Sequence, residues 1–596
     1  MSYYQRNNQH TRQIYHNEKG LGIFYPEHRA RVSGISRLYG LAYVDEGWLE
    51  SDRGVSRVEV RFGDTIIPAR LYVKNRYFIR TFDSTRFPDG ELTVAVQAWD
   101  KAGDKIGEVS QTIIIDNANA KKQNRLFAAP DGAPDGRGTI DSPYDIDTAL
   151  GKMECSDILF LRGGVYEKQM IITQGGAPGA PAAVINYNGE RVEFNSAGIE
   201  IAEGVEYLIL SGVDQHGTTH DNYGLWIKPA IYQVSVWDSS FCENTHYYDR
   251  MPYANTVEYG TGLYAGVVRD NDDRSRIRRY LEISHCRCEN NDVDGFQLAS
   301  VAHGRVQFSE GCYTPDTRKP EKRKDIFQYK HSNGFSSDSG VQIADYASQD
   351  VVYLFCYTHH NGQDGWDIAA PYTRLFGCVT HDEAFVGIPF GGVGIKLWQH
   401  ECHVASSLSF RNNIYDGTGA AMTLAGHTAD PGKALRVAKR GLITNCAFYE
   451  SDTNALSLGA NLTDVRIENC AFEKCGSAIT NNIVDMEKSS VRRCLFSNIG
   501  SGPAADSGST AGSRPMPENF IMSVHQTPGF IDPESGNFFP QKNSALTAAG
   551  NASGFIFDVD GVDYSRLDGL GRPRQRSTEI GPYTRYDEND VIDELA

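Results

Sequence analysis

Two stretches in the second half of the chain decide how the sequence is interpreted. The first reads Asn-Gly-Gln-Asp-Gly-Trp-Asp-Ile over residues 361–368, and the second reads Gly-Val-Gly-Ile-Lys-Leu over residues 392–397. When both are aligned on a glycine followed by a large apolar residue, Asp367 and Lys396 occupy the same position. Successive strands of one stacked sheet lie about 4.8 Å apart. The alignment therefore predicts an aspartate and a lysine side by side on one outer face.

Similar segments recur around these stretches. Upstream, residues 294–298 (Asp-Gly-Phe-Gln-Leu) and 333–336 (Asn-Gly-Phe-Ser) fit the same alignment. From about residue 182 to 500, short apolar strands recur every 20 to 30 residues, separated by asparagine-rich turns. This period, with β-branched and small residues, is typical of a β-solenoid. Residues 126–166 resemble the opening of right-handed parallel β-helix proteins, with a first strand, a short capping helix and the first coils.

The segment before the solenoid has a different pattern. Residues 31–118 contain short alternating strands separated by turn sequences such as Pro-Asp-Gly at residues 88–90. Strands at this spacing predict a β-sandwich, and residues 87–103 resemble immunoglobulin-like modules of bacterial surface proteins. We expect an all-β protein in three parts. These are a polar arm over residues 1–30, the immunoglobulin-like β-sandwich, and a right-handed parallel β-helix over residues 125–596 that carries the catalytic site and ends in a closing segment.

Composition limits the classes of function. The 596 residues carry a formal net charge of −18, with 58 basic and 76 acidic side chains. The absence of a basic stripe argues against nucleic acid as the main partner. No apolar run reaches the length of a membrane span, and the N-terminus lacks the apolar stretch of a signal peptide. We expect an extracellular, cell-surface or virion-associated protein, and the sequence leaves its oligomeric state open.

Twelve cysteines raise the question of disulfides or a metal site. Several fall at one position of the repeat, with gaps of 22 and 24 residues between successive cysteines. A small apolar side chain repeated once per coil predicts a buried ladder of free thiols. No Cys-X-X-Cys pair is present, which argues against a zinc site built on cysteine.

The two aligned stretches resemble the signature of family 9 polysaccharide lyases, the pectate-lyase-like β-helix enzymes. Lys396 matches that family's catalytic base, and Asp364 and Asp367 match two of its calcium-binding aspartates. Gln363 and Asn333 stand where the family has two further aspartates, so oxygen ligands are kept but two negative charges are lost. Calcium affinity falls with the number of carboxylates, which leaves a weak site, a relocated site or no metal open. Four further acids could replace the lost ligands: Asp294, Asp338, Asp382 and Glu383.

The implied reaction is β-elimination in an acidic, uronic-acid-containing polysaccharide. A base removes the proton on C5, next to a carboxylate, and the oxygen at C4 is expelled. The base must be neutral, whereas a free lysine has a pKa of about 10.4. A bare Asp367 raises that pKa, so Lys396 suits the role best when a metal ion, expected to be calcium, neutralises Asp367. In this scheme the further candidates for substrate binding are Asp294, His381 and Arg411.

Other interpretations of the same residues stay open. An acidic residue that precedes a glycine and an aromatic residue can simply stabilise a tight turn. Lys396 can likewise be a surface lysine paired with Asp367. A glycoside hydrolase on the same fold would need two carboxylates flanking the glycosidic bond. Residues 291–295 resemble part of a polygalacturonase motif, but its companion motifs are missing. A tailspike-like or surface protein that binds glycans without chemistry is the third alternative, and the fold alone does not choose among them.

Overall fold

The part of the chain that the computed structural model describes comprises residues 13–49, 51–119, 121–218, 223–245, 260–266, 277–314, 333–337, 350–368, 370, 372–383, 392–397, 401–412, 420–424, 440–458, 464–481, 489–500, 520–521, 529–547, 557–559, 562–574 and 579–586.

A β-sandwich forms the N-terminal domain. Its nine strands are β1 Ile14–Tyr15, β2 Lys19–Tyr25, β3 Arg31–Val32, β4 Ile35–Val44, β5 Val55–Phe62, β6 Thr65–Tyr72, β7 Tyr77–Asp83, β8 Gly90–Asp100 and β9 Lys105–Ile115. They hydrogen-bond in the order β1-β2-β4-β7-β6-β5-β8-β9-β3, and all pairs are antiparallel except β3 with β9. Apolar side chains of β2, β4 and β7 pack against those of β5, β8 and β9 in one core. The structure confirms the predicted sandwich, and its immunoglobulin-like character stays a prediction.

The first 30 residues are not a polar arm throughout. β2 pairs with β4, and its Leu21 and Ile23 are buried in the core of the sandwich. The predicted arm is therefore wrong for residues 14–25, while residues 1–12 lie outside the described part of the chain. A strand of seven residues with two glycines gives a weak apolar pattern, which explains the error.

A parallel β-helix follows the sandwich. Its strands form one ladder of 35 strands, in which each coil contributes to up to three faces. The first face contains Arg125–Ala128, Ile158–Leu161, Ala182–Asn186, Glu206–Ser211, Arg278–Arg279, Val301–Ala302, Arg305–Gln307, Val352–Leu354, Thr373–Phe376, Glu401–Ala405, Arg440–Thr444, Val465–Glu468 and Ser490–Arg492. The second face contains Gly164–Tyr166, Val192–Ser196, Val213–Thr218, Glu310–Cys312, Tyr357–His359, Val379–His381, Leu408–Phe410, Leu495–Ser497 and Phe520–Ile521.

The third face is made of short strands, of three residues in all but one case. It contains Met170–Ile172, Ile199–Ile201, Leu225–Ile227, Leu263–Ala265, Phe296–Leu298, Phe335–Ser337, Trp366–Ile368, Ile395–Leu397 and Ala420–Leu424. Four long strands take part in two faces: Tyr232–Cys242 and Glu282–Glu289 in the first and second, Ala447–Leu458 and Ala471–Asn481 in the second and third. This architecture confirms the predicted parallel β-helix.

A short helix, α1 Ile146–Lys152, packs on the first coil. It begins after Asp145, whose Oδ1 accepts the N–H of Thr148 at 2.8 Å, as an N-cap residue does. Ile146 and Ala149 are buried with the apolar residues of the first coils. The helix therefore shields an end that would otherwise expose strand edges. In the described part of the chain, no helix has the length and apolar character needed to cross a membrane. The 3-10 turns are Ser84–Arg86, Asn117–Asn119, Tyr187–Gly189, Pro533–Ser535, Ala545–Thr547 and Tyr564–Arg566.

Equivalent side chains stack inside the helix. Phe296, Phe335 and Trp366 form one column, with ring centroids 4.6 and 5.4 Å apart. All twelve cysteines are free, and all but Cys155 are buried. Buried thiols donate to main-chain carbonyls, as Cys446 does to Thr444 at 3.3 Å. The structure confirms the predicted ladder of inert thiols.

A polar column runs along the corner between the second and third faces. In it, a backbone N–H of one coil donates to a side-chain oxygen of the next. Two links join Asn361 to Glu383 Oε2 at 2.9 Å and Glu383 to Asn412 Oδ1 at 3.1 Å. The members are Asn244, Asn291, Thr314, Asn361, Glu383 and Asn412. The sequence predicts asparagine at such turns and Glu383 as a possible metal ligand. The structure places Glu383 in this column instead, which corrects the expectation for Glu383.

The sandwich and the C-terminal tail pack on the side of the helix. Nη2 of Arg37 lies 2.6 Å from Oε1 of Glu282, and the guanidinium lies over the ring of Trp237 at 4.2 Å. The indole N–H of Trp48 donates to the hydroxyl of Tyr583 at 2.8 Å. The tail, predicted as a closing segment, forms the strand pairs Phe530–Asp532 with Asn537–Pro540 and Asp558–Val559 with Val562–Asp563. One apolar cluster joins all three parts, so they share a continuous core.

Candidate functional site

The third face carries Asp367 and Lys396 at adjacent positions. Strands Trp366–Ile368 and Ile395–Leu397 pair in parallel, and Asp367 lies opposite Lys396. The first and third residues of both strands are buried in the core. Because successive side chains of a strand point to opposite sides, the middle residues lie on the outer side. The register in the structure is the one that the sequence alignment predicts.

The amine of Lys396 bridges two carboxylates. Its Nζ lies 2.9 Å from Oδ2 of Asp364 and 3.3 Å from Oδ2 of Asp367. Asp364 comes from the turn just before the strand, and its side chain is 0% exposed, against 14% for Lys396 and 20% for Asp367. The site is therefore an ammonium held between one buried and one partly exposed carboxylate.

Asp364 also belongs to a ladder of turn residues. The N–H of Asn333 donates to Oδ1 of Asp294 at 2.9 Å, and the N–H of Asp364 donates to Oδ1 of Asn333 at 3.2 Å. The N–H of Val393 donates to Oδ1 of Asp364 at 2.7 Å. Each side-chain oxygen satisfies a buried amide of the next coil, as buried backbone groups require. The residues before the glycines thus perform the ordinary turn chemistry that the sequence leaves open.

This ladder bears on two predicted roles, those of Asp294 and Asn333. Asp294 is buried, and its second oxygen accepts the hydroxyl of Ser336 at 2.6 Å. Its carboxylate is enclosed, so Asp294 does not bind substrate. Asn333 is also buried, and its oxygen accepts the N–H of Asp364; its role as a calcium ligand stays a prediction. Asp338, another considered ligand, lies outside the described residues.

Gln363 has an unused oxygen next to Asp364 in the chain. Its Oε1 is buried and meets no hydrogen-bond donor among the residues that the structure describes. A buried acceptor without a partner costs free energy, and a cation would relieve that cost. Calcium prefers carboxylate and amide oxygens. The side-chain oxygens of Gln363, Asp364 and Asp367 are therefore of the chemical type that calcium binds.

Burial and charge shift the pKa values of Asp364 and Lys396. Burial raises the pKa of Asp364 to about 6; Lys396 opposes this rise, and the charge of Asp367 adds to it. Burial by itself lowers the pKa of Lys396, but Asp364 and Asp367 outweigh it and raise that pKa above its usual value. The amine of Lys396 therefore stays protonated at neutral pH.

His381 and Arg411 lie in a separate cluster, at the corner where the second face turns toward the third. Nε2 of His381 lies 2.6 Å from the hydroxyl of Tyr357, and its Nδ1 lies 2.8 Å from Oδ2 of Asp382. Nε of Arg411 lies 3.2 Å from the other oxygen, Oδ1, of Asp382. Since His381 is buried among these partners, its predicted contact with substrate is wrong. Arg411 is partly exposed, and its contact with substrate stays a prediction.

Sequence reasoning missed the groups that hold the site in place. The N–H of Val393 and the hydroxyl of Ser336 carry no recognisable signal in a single sequence. The sequence does contain a signal for the place of Glu383, namely its position relative to a second-face strand. His359 lies opposite His381 in the strand register, so Glu383 stands two residues after a strand end, as Asn361 does. Aligning the coils on their second-face strands would have placed Glu383 in the polar column.

The acids of the segment that resembles a hydrolase motif are inside the helix. Asp292 and Asp294, in residues 291–295, are both buried. A glycoside hydrolase needs its two carboxylates on either side of the scissile bond, in contact with substrate. This segment does not provide that arrangement.

Comparison with known proteins identifies pectate lyases as relatives. The chain is 20% identical over 314 residues to pectate lyase L of Thermoclostridium stercorarium, covering 48% of this chain and 20% of that protein. It is 26% identical over 215 residues to pectate lyase PEL9 of Emericella nidulans, covering 35% of this chain and 44% of that protein. The chain has a pectate-lyase-like fold. The matched region spans less than half the length of either relative.

Solved structures and family models give two further findings. Pectate lyase Pel9A aligns with a TM-score of 0.36 and 12% identity, over 79% of this chain and 98% of that chain. The complex of XylC with xylose aligns with a TM-score of 0.42 and 8% identity, over 78% of this chain and 98% of that chain. No family model matches the sequence.

Proposed function

We propose that the protein is a polysaccharide lyase that cleaves an acidic, uronic-acid-containing polymer by β-elimination. The observation that carries the proposal is the contact of one amine, Lys396, with two carboxylates, Asp364 and Asp367, on adjacent coils of the third face. The two sequence relatives named pectate lyases support the same class of reaction.

Lys396 is the base in this proposal. Its neutral amine takes the proton from C5 of a uronic acid residue, and the electron pair of that C–H bond forms the C4–C5 double bond. The C4–O bond breaks, and the departing oxygen takes a proton from solvent. The amine lies on the outer side of a strand and is partly exposed, so a polymer lying along the third face can reach it. A positioned base of this kind contributes a factor of about 10² to 10⁴ to the rate.

Asp364 and Asp367 position the amine and set its pKa. Because they raise that pKa, only a small fraction of Lys396 is neutral at pH 7, and this fraction grows as the pH rises. We therefore propose that activity increases with pH through the neutral range. Anything that neutralises the two carboxylates lowers the pKa of Lys396 and extends activity to lower pH.

Calcium is the cofactor that we propose, held by Asp364, Asp367 and Gln363. When bound, it would supply positive charge against the carboxylate of the substrate, which favours loss of the adjacent proton. The two carboxylates outnumber the single ammonium of Lys396, so the trio carries an excess negative charge that would repel a uronate. The buried, unpartnered Oε1 of Gln363 adds an uncharged oxygen to this set.

A panel of acidic polysaccharides tests the proposal. Only a lyase creates an unsaturated uronide, so new ultraviolet absorbance with at least one polymer is the expected result. Lys396→Ala should abolish this absorbance while the circular dichroism spectrum stays unchanged. Lys228→Ala is the matched control, because Lys228 follows another third-face strand and pairs with Glu200 at 3.5 Å.

Each alternative gives a different result in the same assay. New reducing ends without absorbance would indicate a hydrolase, and polymer binding without new ends would indicate a glycan-binding protein. A chelator should reduce the absorbance signal. If the signal is unchanged in chelator, the protein is still a lyase, but calcium is not its cofactor. Since a polymer of this size does not cross a membrane, we propose that the protein works outside the cell, at a cell surface or on a virion.

A further inference from the structure

Three histidines and an aspartate gather at the corner where the second face turns toward the third. His359 and His381 lie opposite each other on adjacent strands, with parallel rings whose centroids are 5.2 Å apart. His360 and Asp382 follow them directly, both with left-handed backbone conformation (φ 55° and 51°). The repeat of the coil therefore brings the same two turn positions of two coils together.

Their donor atoms lie close to one another. Nδ1 of His359 is 2.8 Å from Nδ1 of His360, and Nδ1 of His381 is 2.8 Å from Oδ2 of Asp382. Donor atoms of His360, His381 and Asp382 all lie within 4.8 Å of one another. Bonds from zinc to imidazole nitrogen measure about 2.0–2.1 Å, so two ligands on one ion are roughly 3 Å apart. The observed pairs are close to that separation.

Hydrogen bonding around Tyr357 occupies one ring nitrogen of His381 and leaves the other directed at Asp382. The hydroxyl of Tyr357 lies 3.2 Å from the main-chain oxygen of Trp48 and 2.6 Å from Nε2 of His381. A carbonyl can only accept, so a hydroxyl that donates to Trp48 must accept the proton of Nε2. A neutral imidazole protonated at Nε2 presents a lone pair at Nδ1, which then faces a carboxylate oxygen. A nitrogen lone pair beside a carboxylate oxygen is a pair of donor atoms that one cation, a proton or a metal ion, can hold together.

We propose that His360, His381 and Asp382, with His359 beside them, form a binding site for a divalent transition-metal ion of the zinc class. Imidazole donors favour zinc, nickel and copper, whereas calcium and magnesium favour oxygen. His381 would bind through Nδ1 while its Nε2–H donates to Tyr357, which is the outer hydrogen bond that metal-bound histidines usually make.

Charge and access are consistent with this site. Arg411 pairs with Oδ1 of Asp382 at 3.2 Å and leaves Oδ2 directed at His381. His359 and His360 are partly exposed, so an ion can enter from that side. Through Tyr357 and the carbonyl of Trp48, the bound ion would be linked to the N-terminal domain. The site is separate from the Lys396 trio, so its test does not depend on lyase activity.

Metal titration of the full-length, untagged protein after chelator treatment tests the site. We expect calorimetry to show one Zn²⁺ bound per chain, Co²⁺ to give visible ligand-field bands, and Zn²⁺ to raise the melting temperature. Calcium should give none of these effects. His360→Ala and Asp382→Asn should weaken zinc binding by at least about 10- to 100-fold, the loss that follows even when only a hydrogen-bond partner of a metal ligand is removed.

His303→Ala is the matched control, since His303 also contacts an aspartate, with Nδ1 3.1 Å from Oδ2 of Asp350, on another part of the helix. It should bind zinc as the wild type does. Failure of the wild type to bind zinc at micromolar concentration would overturn the site, as would an equal loss in the His303→Ala variant. Circular dichroism without metal identifies any variant that has failed to fold. If a variant fails to fold, the test rests on the wild type: its cobalt bands should appear and then disappear when zinc is added, and absence of the bands would overturn the site.

Discussion

Asp367 and Lys396 lie directly opposite each other on neighbouring parallel strands, and Oδ2 of Asp367 is 3.3 Å from Nζ of Lys396. The contact has two opposite effects on the proposed role of Lys396 as a base. The carboxylate holds the amine in place, but it also keeps the amine protonated, because it helps to raise the pKa of Lys396. A base in this position needs the charge of Asp367 to be reduced before it can accept a proton.

Asp367→Asn should lower the pKa of Lys396, because it removes one of the two charges that raise it. The rate at which an amine reagent modifies Lys396, followed by mass spectrometry in chelator over a range of pH, measures this change directly. We expect the midpoint to move to lower pH in the variant.

Thr423→Ala is the control, since Thr423 lies opposite Lys396 on the other neighbouring strand and carries no charge. An unchanged midpoint in Asp367→Asn would show that Asp364 alone controls the amine.

Lys396→Ala should destabilise the fold as well as remove activity. Asp364 is fully buried, and loss of its ammonium partner leaves an uncompensated charge, which costs about 3–5 kcal/mol in buried pairs. Since the carboxyl can take up a proton instead, we expect a smaller loss at pH 5 than at pH 8. Urea unfolding at the two pH values measures the difference.

A second substitution separates charge from packing in that experiment. Asp364→Asn in the Lys396→Ala background keeps an oxygen for the N–H of Val393 and removes the buried charge. It should recover most of the stability at pH 8. If the double variant is no more stable than the single one, the loss comes from packing of the lysine side chain.

The sequence predicts the arrangement of the third face because the repeat forces it. Once residues 361–368 and 392–397 are recognised as successive coils, the parallel register leaves Asp367 beside Lys396. The same reasoning predicts the buried cysteines, since one apolar position per coil must point inward. Periodicity therefore determines which side chains share a face.

Contacts between distant segments are not determined by that periodicity. Arg37 in the sandwich meets Glu282 in the helix, and Trp48 meets Tyr583 in the tail; no local pattern pairs them. The sequence also does not separate the roles of Asp294 and Asn333, because a side chain at this turn position can bind a cation or accept a backbone N–H of the next coil. Only the hydrogen bonds distinguish the two.

Arg37→Met should destabilise the protein by several kcal/mol. The guanidinium is almost fully buried, pairs with Glu282 at 2.6 Å and lies over the ring of Trp237. Its removal takes away the largest of the opposing charges beside the buried carboxylate of Glu282 at the joint between the sandwich and the helix. Breaking a buried pair costs about 3–5 kcal/mol. Thermal or urea unfolding of the full chain measures the loss.

Arg57→Met provides the matched control. Arg57 also contacts a carboxylate, Glu59 at 3.5 Å, and lies over the ring of Trp99 at 4.0 Å, but its side chain is 55% exposed. Surface pairs of this kind contribute about 0–1 kcal/mol. Equal effects of the two substitutions would mean that the joint contributes little to the stability of the chain.

Glu383→Gln should change how stability depends on pH. Burial raises the pKa of Glu383 to about 8, although hydrogen bonds from Thr358, Asn361 and Thr380 oppose the rise. In the unfolded chain the pKa is about 4.3. Because the folded value is the higher one, the protonated carboxyl contributes stability that is fully present below about pH 4.3 and is lost as the pH rises toward 8. The wild type should therefore lose a few kcal/mol over this interval through Glu383 alone.

The variant removes that contribution because an amide does not titrate, while its oxygen can still accept the N–H of Asn361 in the polar column. The free energy of unfolding, measured by urea at several pH values between 4.5 and 8.5, should fall less steeply for Glu383→Gln than for the wild type. Glu200→Gln is the control, since Glu200 is a partly exposed residue on the third face and should leave the slope unchanged. Parallel curves for the wild type and Glu383→Gln would mean that Glu383 is ionised within the column, with its charge balanced by the hydrogen bonds it receives.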